Sequence, residues 1–557
     1  MEKIIDERYF DLIIDNTLVK KYDTGDNITP LNDTHAIMHV LSENTEPCEL
    51  GNYRYHRFPA IYTLMSQTSL EASGIISVQN NPYLALYGNG ILVGVVDTGI
   101  DYQHPAFLYR DGISRILSIW DQTIQTGPVP SGFKYGTEYS RDLINLAIKN
   151  SNPLSIVPSV DDNGHGTAIA SIMAGSRNDA ELFRGVAPES ELVVVKLKEA
   201  KQNIRQVSFV PEDAECYQET DIMLAIRYLV EMSISLRRPI AICLALGTSQ
   251  GSHNGYGTLS EYIDSLVLIP GIDISVAAGN EGNSRRHYYS LVETAPFTRF
   301  FEMRVSEQDR LFAMEIWAKI PARLAIEITS PTGESTNFIY PQIQSCLDFN
   351  FIFEISRIWV NNISFEEETG DQLILLRFEN AQEGVWRIQI TNIEEEGFTF
   401  NAWLPAGNLL SSETYFLEPS PDTTITAPGN VPNPLTVTAY DPASDSIVIE
   451  SGRGYTVNNQ VKPDIAAPGF ELTCAYPNDR YGSLTGTGAA AAHAAGTMAM
   501  LLEWAVVKGN YTSITGNDIN KLIIRGANRQ QPVYTYPNNI WGYGKLDIYN
   551  VFRKLSL

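Results

Sequence analysis

A chain of 557 residues is longer than one ordinary hydrophobic core accommodates, so its length predicts two or three domains. Its formal net charge of −25 disfavours nucleic acid and anionic membranes as partners, because both attract clustered Lys and Arg. The composition is 44% hydrophobic and 19% charged, as in a globular protein, and no segment is polar enough to be predicted disordered.

The first segment, residues 1–67, contains short apolar runs between polar turns and predicts a small α+β unit. Acidic residues interrupt each apolar run of its opening MEKIIDERYFDLIIDN, so we expect no secretory signal and synthesis in the cytosol. A polar stretch at residues 66–69 is predicted to be a linker.

Residues 68–293 contain largely apolar, β-branched runs separated by helix-like segments. Strands with so little polar alternation are buried on both faces, which predicts an α/β fold with a parallel sheet and helices on both of its faces. The runs are ILVGVV at 91–96, LVVV at 192–195, IAICLAL at 240–246 and IDISVAA at 272–278.

Residues 294–410 alternate apolar with polar and contain turn signals, which predicts an inserted antiparallel β-sandwich. The α/β pattern resumes over residues 411–557. Within it, the apolar segment 489–507 begins with an alanine run and predicts a buried helix better than a membrane span. Five cysteines, odd in number and free of CxxC spacing, predict neither structural disulfides nor a zinc site.

Three motifs contain residue types suited to nucleophilic catalysis. VGVVDTGIDYQHP places Asp97 at the end of a buried strand, DDNGHGTAIASIMAG places His165 before an Ala-rich helix, and LTGTGAAAAHAAGTMAM enters a helix at Gly488. Each motif alone is as readily a tight βα connection. Together, in this order and with GVAPES, VAAGNEG and KPDIAAPG, they resemble the subtilase family of serine proteases.

The resemblance implies a subtilisin-like fold and a role for each matching residue. Asp97 is expected to orient His165, and His165 to act as general base and then general acid. Asn280, in VAAGNEG, is expected to donate a hydrogen bond to the oxyanion. The substrate cleft is expected at residues 245–247, where Ala245 replaces a serine common in the family and is followed by Leu246 and Gly247.

The nucleophile position departs from the family pattern, because GTSxA has become GTGAA and Gly488 has no hydroxyl. An acyl-enzyme cannot form on glycine, so the resemblance implies a subtilisin-like endopeptidase fold without catalytic activity. Two alternatives stay open: a hydroxyl of Ser483, Thr485 or Thr487 substitutes, or the glycine was introduced into an active parent. We expect no cofactor and no metal, since Ala106 stands where many relatives have a calcium-binding aspartate.

The separation of 208 positions from Asn280 to Gly488 exceeds that of minimal subtilases, and the β-rich insertion accounts for the excess. This insertion, LEASGI at 70–75 and the AAAA run after Gly488 resemble the Csp subtilases of spore-forming clostridia, which carry a jelly-roll domain here. The resemblance to the pseudoproteases of this branch, the CspC and CspA type, implies packaging in the spore and regulation of germination. Its expected partners are an active Csp protease or a cortex-hydrolase proenzyme, with a small-molecule germinant as a further candidate.

The resemblance also implies that residues 1–67 are a subtilase prodomain whose tail lies in the cleft. Its junction is expected at Gln67 and Thr68. Without a nucleophile this junction should remain uncut, so the protein's own prodomain is a further expected partner of the cleft. The polar run Arg285-Arg286-His287 after VAAGNEG predicts a solvated loop, with a partner contact as the alternative.

Overall fold

The computed structural model describes residues 2–19, 27–41, 53–65, 73–343, 346–530 and 534–555. We call the described residues up to 65 the N-terminal unit. Three of its strands form an antiparallel sheet in the order β1-β3-β2, while the fourth leaves this sheet and pairs elsewhere. Its elements are β1 (Tyr9–Asp15), α1 (Asn16–Val19), β2 (Ile28–Pro30), β3 (His35–Leu41) and β4 (Ile61–Leu64).

The next part of the chain alternates strands and helices, as the long apolar runs predict. The strands are β5 (Leu92–Asp97), β6 (Ile116–Asp121), β7 (Thr137–Ser140), β8 (Glu191–Lys196), β9 (Tyr217–Gln218), β10 (Ile240–Leu244), β11 (Leu246–Gly247) and β12 (Ile272–Ala277). The helices are α2 (Ile75–Gln79), α3 (Arg141–Ile148), α4 (His165–Ala174), α5 (Gln202–Val207), α6 (Glu219–Leu236) and α7 (Thr258–Leu266).

Two antiparallel sheets follow and pack face to face around buried residues such as Met303, Met314 and Trp386. Their orders are β13-β21-β15-β19-β18-β17 and β16-β20-β14-β22. The strands are β13 (His287–Val292), β14 (Thr298–Val305), β15 (Leu311–Ala318), β16 (Leu324–Thr329), β17 (Leu347–Asn350), β18 (Arg357–Ile363), β19 (Gln372–Glu379), β20 (Gly384–Asn392), β21 (Phe398–Trp403) and β22 (Tyr415–Phe416).

The remaining strands are β23 (Leu435–Asp441), β24 (Ser446–Ile447), β25 (Ile465–Pro468), β26 (Leu472–Tyr476) and β27 (Arg480–Leu484), and the helices are α8 (Thr487–Leu502), α9 (Gly516–Gly526) and α10 (Ile548–Leu555). The central sheet has the order β24-β23-β12-β10-β5-β8-β6-β7, with β25 beside β23. Its interior pairs are parallel, and β24 and β7 add antiparallel edges. The fold is therefore the subtilisin-like α/β fold that the motifs imply.

Helix α8 lies at the centre of the molecule, and every one of its residues is buried. It packs against β10, β12 and β23 on one side and α4 on another. The small side chains of its alanine run allow this close approach. By length and composition α8 and the π-helical turn after it could cross a membrane, but 83% of its most apolar window is buried inside the fold. It is a core helix, as its sequence predicts.

The β-sandwich is wider than the predicted 294–410, because the paired strands run from His287 to Phe416. The prediction of a solvated loop at residues 285–287 holds for Arg285, which is exposed, and is wrong for Arg286 and His287, which are buried. The guanidinium of Arg286 is buried and donates to the carbonyls of Pro405, Gly407, Leu410 and Ser411. His287 begins β13 and stacks on Trp403, 5.0 Å between ring centroids.

The prediction that no cysteine forms a disulfide is also wrong. Cys346 is disulfide-bonded, although its partner lies outside the described residues. Cys216, Cys243 and Cys474 are free and buried. Burial raises the pKa of the Cys216 thiol to about 11, so this thiol stays protonated and unreactive near neutral pH.

Candidate active site

The predicted acid and base meet at the carboxyl end of β5. Asp97 is the last residue of β5, and its Oδ1 lies 2.7 Å from Nδ1 of His165, the first residue of α4. Both side chains are buried, with exposed fractions of 1% and 7%. The backbone N–H of Thr98 also donates to Asp97 Oδ1. The carboxylate therefore fixes the imidazole as an acid–base pair requires.

The turn before His165 is held by a second carboxylate, Asp161, which the sequence analysis did not single out. Its Oδ1 accepts from the Thr98 hydroxyl and the Gly164 N–H, at 2.7 and 2.8 Å. Its Oδ2 accepts from the N–H and hydroxyl of Thr167, at 2.8 and 2.6 Å. Asp161 thus ties the start of α4 to the end of β5 and sets the position of His165.

The imidazole of His165 is easier to protonate than an ordinary histidine. Burial alone would lower its pKa, but the charge and hydrogen bond of Asp97, with the carboxylates of Asp161 and Glu215, outweigh burial. The pKa of His165 is therefore raised above 6.5. Charge stabilisation of this kind suits a residue that must carry a proton during catalysis.

We expect Asp97→Asn to reverse this shift, because burial would remain and the main compensating charge would be lost. The His165 pKa should then fall below 6.5, as measured by a pH titration of the histidine ring resonances in NMR spectra. His35 lies in the N-terminal unit and serves as the internal reference, since its own pKa is already lowered by burial. A His165 resonance that titrates unchanged in the variant would contradict the charge pairing.

The predicted nucleophile position, Gly488, is the second residue of α8. It lies beside Ala245 of the predicted cleft and beside the backbone of Met65. A Cβ atom built on Gly488 would lie 2.6 Å from the carbonyl carbon of Met65 and closer still to its oxygen. It would lie 3.0 Å from Ala245 Cβ. The space that a serine side chain would need is therefore filled by main-chain atoms of the N-terminal unit.

Asn280 lies at the predicted oxyanion position, next to the start of α8. Its Oδ1 accepts from the N–H and from the hydroxyl of Thr487, both at 3.1 Å. The Thr487 hydroxyl in turn accepts from the Gly279 N–H at 3.0 Å. These bonds occupy the side-chain oxygen and leave the amide nitrogen as the group that would donate to an oxyanion.

The hydroxyls considered as substitutes for the missing serine have other contacts. Thr487 is buried and bonded to Asn280 as described, and Thr485 accepts from the Glu471 N–H at 3.0 Å. Ser483 is exposed on β27, where it pairs with Thr473 across the hairpin. The hydroxyls of Thr487 and Thr485 are therefore engaged in other contacts.

Two of the predicted cleft residues, Leu246 and Gly247, form β11, and Ala245 directly precedes this strand. β4 of the N-terminal unit occupies the cleft. β4 pairs antiparallel with β11, in the register Leu246 to Leu64 and Gly247 to Thr63. Its first two residues pair with β9 on the other side. The N–H of Met65 continues the ladder by donating to the Ala245 carbonyl at 2.9 Å. β4 thus lies between two strands as an extended peptide substrate would.

Met65 follows β4 directly, and its side chain is 1% exposed. The predicted junction residues Gln67 and Thr68 lie outside the described residues. The carbonyl at the nucleophile position belongs to Met65, two residues before that junction. The sequence does indicate that the buried segment ends at Met65, because the apolar run IYTLM ends there, just before the polar stretch SQTS.

The cleft requires glycine at position 247. A Cβ added there would clash first with the Thr426 hydroxyl, and it would lie 3.0 Å from Thr426 Cβ and 3.3 Å from the Met65 methyl carbon. Because both distances are tighter than ordinary contacts, a larger residue would compete with the Met65 side chain for the same pocket. Gly247 therefore shapes the pocket in which Met65 is buried.

Comparison with protein families agrees with this geometry. The sequence matches the family model described as the subtilase family over residues 88–296 and 375–544. The gap between the two matched stretches falls inside the β-sandwich. All the predicted triad and oxyanion positions lie within the matched residues.

Among solved structures, the chain is similar to the Clostridium perfringens CspB protease, with 29% identity and a TM-score of 0.78. That match covers 87% of this chain and 98% of the CspB chain. Among curated sequences it is 23% identical to the subtilisin-like protease SBT1.9 of Arabidopsis thaliana over 77% of this chain, and 24% identical to a subtilisin of Bacillus sp. (strain TA39) over 40%. These alignments span 59% and 42% of the two relatives, about half of their length.

Proposed function

The chain belongs to the subtilase family, and we propose that within this family it is a pseudoprotease, a protein that acts by binding and does not cleave peptides. The observation that carries the proposal is the Met65 backbone in the space of the nucleophile's side chain. A glycine at 488 removes the hydroxyl and also leaves room for this backbone. For subtilisin, removal of the serine costs about 2 × 10⁶ in turnover, so little hydrolysis should remain.

The proposed biological role is regulation of spore germination through protein partners. Two facts support it: the similarity to the CspB protease over nearly all of that chain, and the sequence resemblance to the Csp branch. We propose an active Csp protease or the proenzyme of a cortex hydrolase as the partner, and the spore as the location. The strongly negative charge of −25 favours a partner surface rich in Lys and Arg.

The purified chain should keep its full intact mass and remain unlabelled by a fluorophosphonate probe, because no activated hydroxyl is present at residue 488. An active subtilisin treated in parallel is the positive control. The competing function is a working endopeptidase that processes a cortex-hydrolase proenzyme through another nucleophile. Covalent labelling, or a mass that lacks the N-terminal unit, would favour this competitor and reject the pseudoprotease.

The partner role needs a separate measurement. We expect the chain to change the rate at which an active Csp protease processes the cortex-hydrolase proenzyme in a purified mixture, without cleaving the proenzyme itself. Bovine serum albumin, an acidic protein of similar size, controls for unspecific charge effects. An unchanged rate at a molar excess of the chain would reject regulation of this step.

A further inference from the structure

A pocket lies where the N-terminal unit, the α/β fold and the β-sandwich meet. We call it the junction pocket. The space within it that is open to the centre of a water molecule is about 120 Å³, many times what a single water needs. Its walls are largely aromatic and apolar on the side of the N-terminal unit, with Tyr55, Phe58 and Tyr62. The β-sandwich contributes Ala313 of β15 and Arg377 of β19, which pair directly across the two strands.

Arg377 is a buried cation without a carboxylate partner among the described residues. Its exposed fraction is 2%, and burial lowers its pKa to about 10, still well above neutral pH. One Nη donates to the Asn361 side-chain oxygen and lies 3.9 Å from the Cys346 sulfur. Its Nε is buried and has no hydrogen-bond partner within the described part of the chain. A buried charge in this state is costly unless something pairs with it.

The two carboxyl groups that line the junction pocket are already hydrogen-bonded, whereas the buried Nε2 of His56, a further titratable residue of the wall, has no hydrogen-bond partner in the described part of the chain. Glu315 accepts from the Tyr55 hydroxyl at 2.5 Å, the Gly251 N–H at 2.9 Å and the Trp317 indole N–H at 3.0 Å. Glu219 accepts from two backbone N–H groups, at 3.1 and 2.9 Å. Burial raises the pKa of both carboxyl groups, which weakens their repulsion of an anion.

A purely structural role accounts poorly for Arg377. Its guanidinium lies 5.7 Å from the ring centroid of Phe209, a contact that also stabilises a cation. A neutral side chain of similar length would fill the same space without the cost of burying a charge. Most buried charges in proteins find partners, so a guanidinium that lines a cavity and has no carboxylate partner among the described residues points to a partner that enters the cavity.

We propose that the junction pocket binds a small molecule that carries a carboxylate on an apolar body, with the carboxylate on Arg377 and the body against the aromatic wall. A planar carboxylate matches the fork of a guanidinium. The small side chain of Ala313 leaves the approach to Arg377 open. The site does not depend on residue 488, so it stands whether or not the protein cleaves peptides.

Such a ligand would contact the segment that leads into the cleft. Tyr62 lines the junction pocket and also belongs to β4. The Ile61 N–H of β4 donates at 2.8 Å to Gln250, another residue of the pocket wall. Occupancy of the pocket would therefore favour the arrangement in which β4 is docked, because the ligand and β4 share a wall.

The test uses 2-naphthoate, an apolar ring system with one carboxylate, and 2-naphthalenemethanol, the same ring without charge. Binding to the full chain is measured by isothermal titration calorimetry. We expect 2-naphthoate to bind and Arg377→Met to weaken it about tenfold or more, while 2-naphthalenemethanol changes by less than about threefold. Arg377→Lys should recover part of the loss, and Ala313→Trp should weaken both probes by filling the cavity.

The melting temperature separates binding from folding. Because no ion pair is broken, Arg377→Met should keep the melting temperature within about 2 °C of the natural chain. A larger fall would assign Arg377 to the fold and overturn the proposal. The proposal is likewise overturned if the natural chain does not bind 2-naphthoate at millimolar concentration, or if the Met variant binds it equally well.

Discussion

A Gly488→Ser variant is expected to cut its own chain after Met65. The Asp97–His165 pair and Asn280 are in place, so only the hydroxyl is missing from the chemistry. The restored serine also forces the tail to move, because its Cβ would lie 2.6 Å from the Met65 carbonyl carbon. The Met65 oxygen would lie closer still to that Cβ, so the carbonyl has to leave the place that it occupies beside glycine before the serine can attack it.

Self-cleavage is measured by intact mass and by N-terminal sequencing of the large fragment. Gly488→Ala is the matched control, since it introduces the same Cβ without a hydroxyl. It should remain uncut but lose hydrogen–deuterium exchange protection in β4 by about tenfold or more, as the tail is displaced. A second control, Gly488→Ser with His165→Ala, should remain uncut as well.

If Gly488→Ser remains intact although β4 loses protection as in the alanine variant, the site has lost more than its serine. That result would exclude a recently inactivated protease. It would agree with the pseudoprotease proposal, because a site that one hydroxyl does not reactivate has lost more catalytic groups than a site that lacks only its serine.

An Asp11→Ala variant is expected to lose about 3–5 kcal/mol of stability in the N-terminal unit. Asp11 of β1 is fully buried and lies 2.8 Å from the Lys201 ammonium and 2.6 Å from His39 Nδ1. Gln218, next to the cleft, donates to the same carboxylate at 3.0 Å. Its removal would leave a buried ammonium without its counter-charge, between the N-terminal unit and α5.

Asp15→Ala is the matched control. Asp15 also lies on β1 and also pairs at 2.8 Å, with Arg57, but both members of this pair are partly exposed. Exposed pairs contribute about 0–1 kcal/mol, so this variant should be nearly neutral. The local free energy of unfolding is measured by hydrogen–deuterium exchange of β1–β3 in increasing urea. Equal losses in both variants would contradict the argument from burial.

The same carboxylate predicts a pH dependence. Burial alone would raise the Asp11 pKa, but the His39 hydrogen bond and the Lys201 charge outweigh it, so the pKa in the folded state is lowered. A lowered carboxyl pKa stabilises the folded state above the ordinary value of 3.8, and this contribution is lost as the pH falls below that value. Docking of the N-terminal unit should therefore weaken in acid, and less so in Asp11→Ala.

The motifs predict the contact between Asp97 and His165 because they encode local structure. DTG ends a strand, NGHGT starts a helix and AAGN follows a strand, so the parallel sheet brings Asp97, His165 and Asn280 to one edge. The four apolar runs likewise predict β5, β8, β10 and β12 to within two residues. These features follow from short-range patterns, which sequence reasoning reads directly.

The features that sequence reasoning missed depend on contacts between distant segments. The register that brings Met65 to the nucleophile position is set by pairing between β4 and β11, about 180 residues apart in the chain. Arg286 resembles a surface residue in the sequence, yet four carbonyls from one distant loop surround it. Charged residues are mostly exposed, so the expectation of a solvated loop was reasonable and failed only through tertiary context.

The attachment of β4 to the rest of the chain sets how strongly any external peptide must compete for the cleft. A segment tethered to its own binding site has an effective concentration of about millimolar or more. A soluble peptide with the same intrinsic affinity would need to exceed that concentration to displace β4. Regulators of this protein are therefore more effective at surfaces outside the cleft, where no tethered segment competes with them.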